Sequence, residues 1–124
     1  MIHSRKVPKR HRLETMKMKH KFGAKRCTVD DKKFSSKLEA RFFIQLQMRQ
    51  KAGDILFFLT QVPFSLPGNI VYRLDFMIFH SPKDGEVGEI EFVETKGFMT
   101  DSARIKLAQV EDIYGIKIRI VKAV

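Results

Sequence analysis

A chain of 124 residues with 44% hydrophobic content and eleven Phe is long enough for one domain with a modest core, and is not the composition of a disordered polypeptide. Its single cysteine, Cys27, rules out an internal disulfide and points to a reducing, cytoplasmic setting. The net charge of +10 is concentrated. Residues 1–33 hold twelve Lys/Arg against Glu14, Asp30 and Asp31, whereas residues 34–124 hold twelve against eleven acids. A basic arm (1–33) is thus joined to a nearly neutral domain (34–124), a distribution that suits a polyanion such as DNA or RNA. The longest apolar run, Ile55 to Leu59, is too short to cross a bilayer, and the first residues lack the apolar stretch of a secretory signal, so neither membrane nor export is expected.

In chain order, residues 1–20 are basic, carry His3, His11 and His20, and hold no sustained period. No Cys partner stands at zinc spacing from these histidines, so no zinc site is expected. Residues 28–34 predict a small hairpin turning at Asp30 and Asp31. Ser35 to Ala52 predicts a helix. Ser36 and Glu39 fit a capping box, Leu38, Phe42 and Leu46 form one apolar row, Ala40, Ile44 and Met48 form a second, and Gly53 ends it. Ile55 to Leu66 reads as a strand broken at Pro63, which marks an edge or bulge. Gln61 there reads first as a hydrogen-bonding residue at the edge of the core, and second as a member of a functional site. Ile70 to Phe79 reads as the next strand, with His80 exposed after it, and Glu89 to Lys96 as a third. A helix capped by Thr100 or Asp101 runs to Tyr114 and buries Ala103, Leu107, Val110 and Tyr114. Ile116 to Ile120 alternates as a last strand. The predicted order is α-β-β-β-α-β.

The chemistry centres on the second and third of these strands. Asp75 is the one acid in Tyr72–Phe79, and Ile90, Phe92, Glu94 and Lys96 share a strand face. A carboxylate and an ammonium at the end of an apolar face need a partner or a metal, because isolated buried charge is costly. Phosphodiester hydrolysis asks for a cation, an activated water and charge neutralisation at phosphorus. Asp75 and Glu94 on adjacent strands can bind Mg²⁺, with the Thr95 carbonyl as a third ligand and Lys96 beside the attacking water. The plainer alternative is an ion pair at a solvated sheet edge. Glu39 can serve the helix cap or the metal, and its residue type does not decide between them. Arg5, Lys6, Lys9, Arg10, Arg12, Lys21, Lys25 and Arg26 in the arm, with Lys37, Arg104 and Lys106 on the helices, are the candidate DNA-backbone contacts.

The element order, with Glu39 in the first helix, Asp75 in the second strand and Glu94-Thr95-Lys96 in the third, resembles the PD-(D/E)XK nuclease superfamily over residues 34–124. Lys21-Phe22-Gly23-Ala24-Lys25, Phe34-x-Ser36-Lys37-x-Glu39-Ala40, Tyr72-x-x-Asp75-Phe76 and Val93-Glu94-x-Lys96-Gly97-Phe98 together resemble a small phage and prophage nuclease family. That family is often left as a domain of unknown function, and is similar to Holliday junction resolvases and to the nuclease subunit of some transposition systems. The resemblance implies an α/β restriction-endonuclease-like core with a mixed central sheet flanked by helices. It further implies Glu39, Asp75, Glu94 and Lys96 as catalytic residues, with Glu39, Asp75, Glu94 and Thr95 around Mg²⁺ or Mn²⁺. Its activity would be an endodeoxyribonuclease leaving a 5′-phosphate and a 3′-hydroxyl. Leu74 stands where the superfamily name has Pro. Small size and a basic arm favour a four-way-junction or branched-DNA resolvase acting as a homodimer, with roles in recombination and repair. The alternatives are a nuclease of the same fold cutting linear, flap or nicked DNA, and a basic nucleic-acid-binding protein without catalysis.

Overall fold

The computed structural model describes residues 27–29 and 32–124. Strands β1 (Cys27–Val29) and β2 (Lys32–Phe34) form the small hairpin, antiparallel with Cys27 opposite Phe34. Helix α1 (Lys37–Lys51) follows, then β3 (Ile55–Leu66), β4 (Ile70–His80), β5 (Ile90–Thr95), helix α2 (Asp101–Tyr114) and β6 (Ile118–Val121). The four long strands form one sheet in the order β3-β4-β5-β6. The first two pairings are antiparallel and β5–β6 is parallel, so the sheet is mixed and α2 is its crossover. No described helix is long and apolar enough to cross a membrane.

Helix α1 starts where its cap predicts. The Ser36 hydroxyl accepts from the Glu39 backbone N–H at 3.1 Å. The return half of a capping box is absent, because the Glu39 carboxylate goes to Ser35 instead. Phe42 and Leu46 are buried as the first apolar row requires, but the second row is different: Ala40 is buried while Ile44 and Met48 face solvent. The added burial comes from Phe43, whose ring lies against Phe34 of β2 at 4.9 Å and Phe58 of β3 at 5.4 Å. The hairpin and the sheet therefore enclose adjacent sides of the same helix.

Phe34, Ala40, Phe42, Phe43, Leu46, Ile55, Phe76, Ile78, Val93 and Val121 form the core beneath α1. Neighbouring residues of a strand point to opposite faces. Val93 enters that core, whereas Phe92 approaches Phe64, which packs edge-on against Tyr114 of α2 at 5.0 Å. The two helices thus cover opposite faces, and α2 contributes buried Leu107 and Val110. Its Thr100 cap accepts from Ala103 N at 3.1 Å, and Gly115 ends it with φ +65°, a conformation that favours glycine. Ala103 is only half-buried and Tyr114 remains exposed, so the predicted buried row of α2 reduces to its two central members. β6 begins at Ile118, two residues after the alternating run starts, because only Ile118–Val121 finds partners on β5.

β3 is an edge strand of twelve residues without one charged side chain, and Leu56, Phe57 and Leu59 are exposed along it. Pro63 does not break it; the residue stays in register opposite Arg73, which an edge position allows. The irregularities lie elsewhere, in a register shift between Ile55 and Phe57 and in Gln61, whose φ of 53° is left-handed. At the β4–β5 connection a side chain on Gly88 would meet the His80 carbonyl oxygen at 1.9 Å, so only glycine fits there.

Candidate active site

Four polar residues are buried among the described residues: Glu39 (2% exposed), Asp75 (9%), Glu94 (2%) and Thr95 (6%). They come from α1, β4 and the end of β5, and the fold brings them to one end of the sheet. Each of the first two carboxylates is anchored by one oxygen. Ser35 donates its backbone N–H (3.0 Å) and its hydroxyl (3.1 Å) to Glu39 Oε1. Thr95 likewise donates its N–H (2.9 Å) and hydroxyl (2.7 Å) to Asp75 Oδ2. The other two oxygens converge on one amide. Gln61 Nε2 donates to Glu39 Oε2 at 2.8 Å and to Asp75 Oδ1 at 3.2 Å.

Gln61 lies between Thr60, which pairs with Phe76, and Val62, which pairs with Leu74, and so stands opposite Asp75. A non-glycine residue with positive φ inside a paired strand costs about 1–3 kcal/mol and persists only where its surroundings impose it. Here its amide is what joins the carboxylate from the helix to the carboxylate from the sheet. Lys33, Phe34, Ser35, Glu39, Gln61 and Asp75 line an open cavity of about 240 Å³. Lys33, from the β2 hairpin, thus lines the same cavity as the carboxylate pair.

Glu94 is held differently. Its Oε2 is buried and has no hydrogen-bond partner among the described residues. Burial pushes its carboxyl up to about 7, with the charge of Glu39 acting in the same direction and Lys96 and the Asp75 backbone N–H acting against it. Glu39 is also pushed up to about 7, first by burial, then by the charge of Asp75 and by sharing a hydrogen bond with it, against the opposing bonds from Ser35. Two carboxyls therefore titrate near neutrality beside a third, an arrangement that stores repulsion in the absence of a cation.

The structure unites Glu39, Asp75, Thr95 and Glu94, with Lys96 close enough to Glu94 to lower its pKa. Lys96 lies one residue past β5, its backbone N–H donating to Val121 O at 3.0 Å. Thr95 supports Asp75 through its N–H and hydroxyl, a positioning role that the expectation of a carbonyl ligand did not contain. The reason given for burial at Glu94 also changes. Ile90, on the same predicted face, is exposed and Phe92 only half-buried, so what surrounds Glu94 is the junction of α1, β4 and β5 rather than a continuous apolar face. His80 is half-buried, not exposed, with Nε2 3.0 Å from Glu91 Oε1.

Among the candidate DNA contacts, Lys37 is exposed on the first turn of α1, Arg104 is exposed and pairs with Asp101, and Lys106 is half-buried on α2. Arg5, Lys6, Lys9, Arg10, Arg12, Lys21, Lys25 and Arg26 lie outside the described residues. Ser35 and Lys33 are members of the site that sequence reasoning did not place there, and Gln61, for which the site was the second reading, joins them. The only signal for Ser35 was its position just before the capped helix.

Among the described residues, no three His, Cys, Asp or Glu side chains already stand at metal-binding geometry. The donor set nevertheless fits a hard divalent cation. It offers carboxylate oxygens, one of them buried and unpartnered, and Mg²⁺ takes only one or two protein carboxylates and keeps the rest of its shell as water. No curated protein and no solved structure matches the chain. A family profile, described as a protein of unknown function (DUF1064), matches residues 19–123, a span that includes every described element, and the chain belongs to that family.

Proposed function

We propose that this protein is a metal-dependent endodeoxyribonuclease with a restriction-endonuclease-like core, acting on four-way or otherwise branched DNA. The observation that carries the reading is the buried carboxylate Glu94, unpartnered at Oε2 and set beside Glu39, Asp75 and Lys96. A purely structural cluster of three acids gains nothing from such a placement, since replacing it with apolar residues would remove the repulsion. A site that must receive a cation and a phosphate gains the negative potential it needs.

Glu39, Asp75 and Glu94 would hold Mg²⁺, or Mn²⁺ in its place, and the bound ion would supply charge at the phosphoryl oxygens and an acidified water. Ser35 and Thr95 fix one oxygen of Glu39 and of Asp75, so these carboxylates are oriented before any ligand arrives. Lys96 supplies a positive charge next to Glu94, suited to holding the attacking water and to neutralising the scissile phosphate. Lys33, in the lining of the cavity, is suited to a flanking phosphate. The basic residues 1–33 suit contacts to the backbone rather than to bases, which favours a substrate known by shape. Cutting both strands of a four-way junction calls for two such sites, hence a homodimer.

The test is cleavage of a four-way junction and of a linear duplex of the same sequence, with Mg²⁺ and with EDTA, by wild type and by Lys96→Ala. Wild type is expected to cut the junction only with metal, and Lys96→Ala to bind it without cutting. Absence of cutting on both substrates with every divalent metal removes the enzyme reading. Equal cutting of both removes the junction preference and leaves the alternative of a general nuclease.

A further inference from the structure

We propose that Gln61 is a ligand-exchange residue of the cation site, its side-chain amide occupying the cation's place until the carboxylates take up a divalent ion, then turning over to offer Oε1 as a neutral oxygen ligand. The inference rests on the metal-dependent reading above and concerns a residue to which that reading gives no part.

Three observations carry it. First, the conformation is specific and unfavourable. Gln61 has φ 53° in the middle of a strand that stays in register on both sides of it, and glutamine has no intrinsic preference for that region. Second, the contacts are those a small cation would make. One nitrogen reaches the free oxygens of two carboxylates that come from different elements, while the remaining oxygens of both are tied to an N–H and a hydroxyl. Third, the residue is open to solvent: Gln61 is exposed, its amide hydrogen bonds are only part-buried, and it lines the cavity with Lys33 and Ser35. A group whose duty was only to bridge a core would not need an open face.

The chemistry of the carboxamide completes the argument. Its NH₂ and its oxygen have nearly the same shape and sit at the ends of one planar group, with opposite hydrogen-bonding character. Between two carboxylates the NH₂ is the favourable end. Next to a divalent ion the same hydrogens are repelled, and a half-turn about the Cγ–Cδ bond presents an oxygen of the kind Mg²⁺ and Mn²⁺ accept. The half-turn alone would set Oε1 where Nε2 stands, so the side chain also draws back by about 2 Å, the length of a Mg–O bond, which its own rotatable torsions allow without movement of the sheet.

The experiment uses the full chain. In ¹⁵N-resolved NMR with assigned side-chain amides, Mg²⁺ is expected to shift the Gln61 NH₂ pair as it saturates the site. Mn²⁺ binding followed by EPR is expected to weaken about 10- to 100-fold in Gln61→Ala. Gln61→Gly, which accepts φ 53° without strain, is expected to lose the same affinity while remaining folded by circular dichroism. Gln61→Glu, with a permanent oxygen ligand, is expected to bind at least as tightly as wild type. Unchanged or tighter Mn²⁺ binding in Gln61→Ala and Gln61→Gly overturns the proposal, since the amide would then be a bystander or a competitor. So does a Gln61 NH₂ signal that stays in place while wild type saturates with Mg²⁺. Wild type that binds neither ion overturns the metal reading as well as this one, whereas the other two results remove Gln61 alone.

Discussion

Glu91 and Glu94 stand three residues apart on β5 and meet opposite fates. Glu91 reaches His80 Nε2 at 3.0 Å and accepts from Arg119 Nε, so although burial raises its pKa, these partners outweigh it and hold the carboxyl below its ordinary range. Glu94 is more deeply buried, has an unpartnered oxygen, and is pushed up to about 7. One acid is completed by its own chain and the other is left incomplete. A folded protein tolerates the second case where something outside the chain finishes the site. The left-handed Gln61 belongs to the same site as Glu94, while Glu91 is surrounded by ordinary cross-strand partners.

That contrast can be broken at several points. The largest effect is expected at Lys96, the cation beside the incomplete acid. Lys96→Ala should lower junction cleavage by about 10²–10⁴-fold, the range for loss of a positioned proton-transfer group, with gel-shift binding retained. A matching change at Arg119, the cation beside Glu91, should leave the cleavage rate within about threefold, because nothing there faces the cavity of Glu39 and Asp75.

Stability comes next, and the two acids should differ in sign. Without metal at pH 8, Glu94→Gln should stabilise the protein by about 1–3 kcal/mol, because it removes a buried charge that stands beside Glu39. Glu91→Gln should destabilise by about 0.5–1 kcal/mol through loss of its partners. Thermal melts in EDTA measure both. The pH dependence follows the same logic. Glu39 and Glu94 have folded values near 7, above the 4.5 of the unfolded chain. Their contribution is fully present below pH 4.5 and is lost as pH rises through about 7. Glu91 is shifted down, so its contribution is present above pH 4.5 and lost as pH falls through its depressed value. The metal-free melting temperature should therefore decline between pH 5 and 8, and Glu94→Gln should flatten that decline. The smallest effect is calorimetric. Mn²⁺ uptake at pH 7 should release about half a proton from each raised carboxyl, seen as a binding enthalpy that changes with the ionisation enthalpy of the buffer.

Much of this architecture is legible in the residues because local signals and tertiary packing agree. Ser36 caps α1 in the sequence and in the structure, Phe42 and Leu46 face the core as their spacing requires, and the strands β3 to β5 end within a residue of their turn signals. The failures have definite causes. Met48 and Ile44 fit an apolar row, but the hairpin β1–β2 packs against Phe43 and leaves that row in solvent. Ile116 and Lys117 continue the alternation of β6 with no β5 partner, and a period alone cannot show where pairing begins. Within the site, Asp75 and Glu94 are marked by their apolar strands, and Glu39 needs the family likeness to be singled out. Gln61 could be offered from its place in an apolar strand only as a second reading. Its role depends on one dihedral angle that glutamine does not advertise, and on convergence with residues 22 and 14 positions away. Lys33 and Ser35 likewise enter the cavity through the way the hairpin folds against α1.

The uncharged β3 edge has a consequence for how the protein behaves in solution. An open strand edge is a template for another strand, and natural edges are commonly guarded by charges, which β3 lacks along its twelve residues. The net charge of +10 opposes unspecific pairing of such edges, and that repulsion is long-ranged only while salt is low. The Debye length falls from about 10 Å at 0.1 M to about 3 Å at 1 M, whereas the attraction of exposed Leu56, Phe57 and Leu59 for another apolar edge is not weakened by salt. Colloidal stability of this protein is therefore greatest in dilute buffer. The high salt customarily used to strip nucleic acid from a basic protein weakens that repulsion and leaves Pro63 and the register shift between Ile55 and Phe57 as the guards of this edge among the described residues.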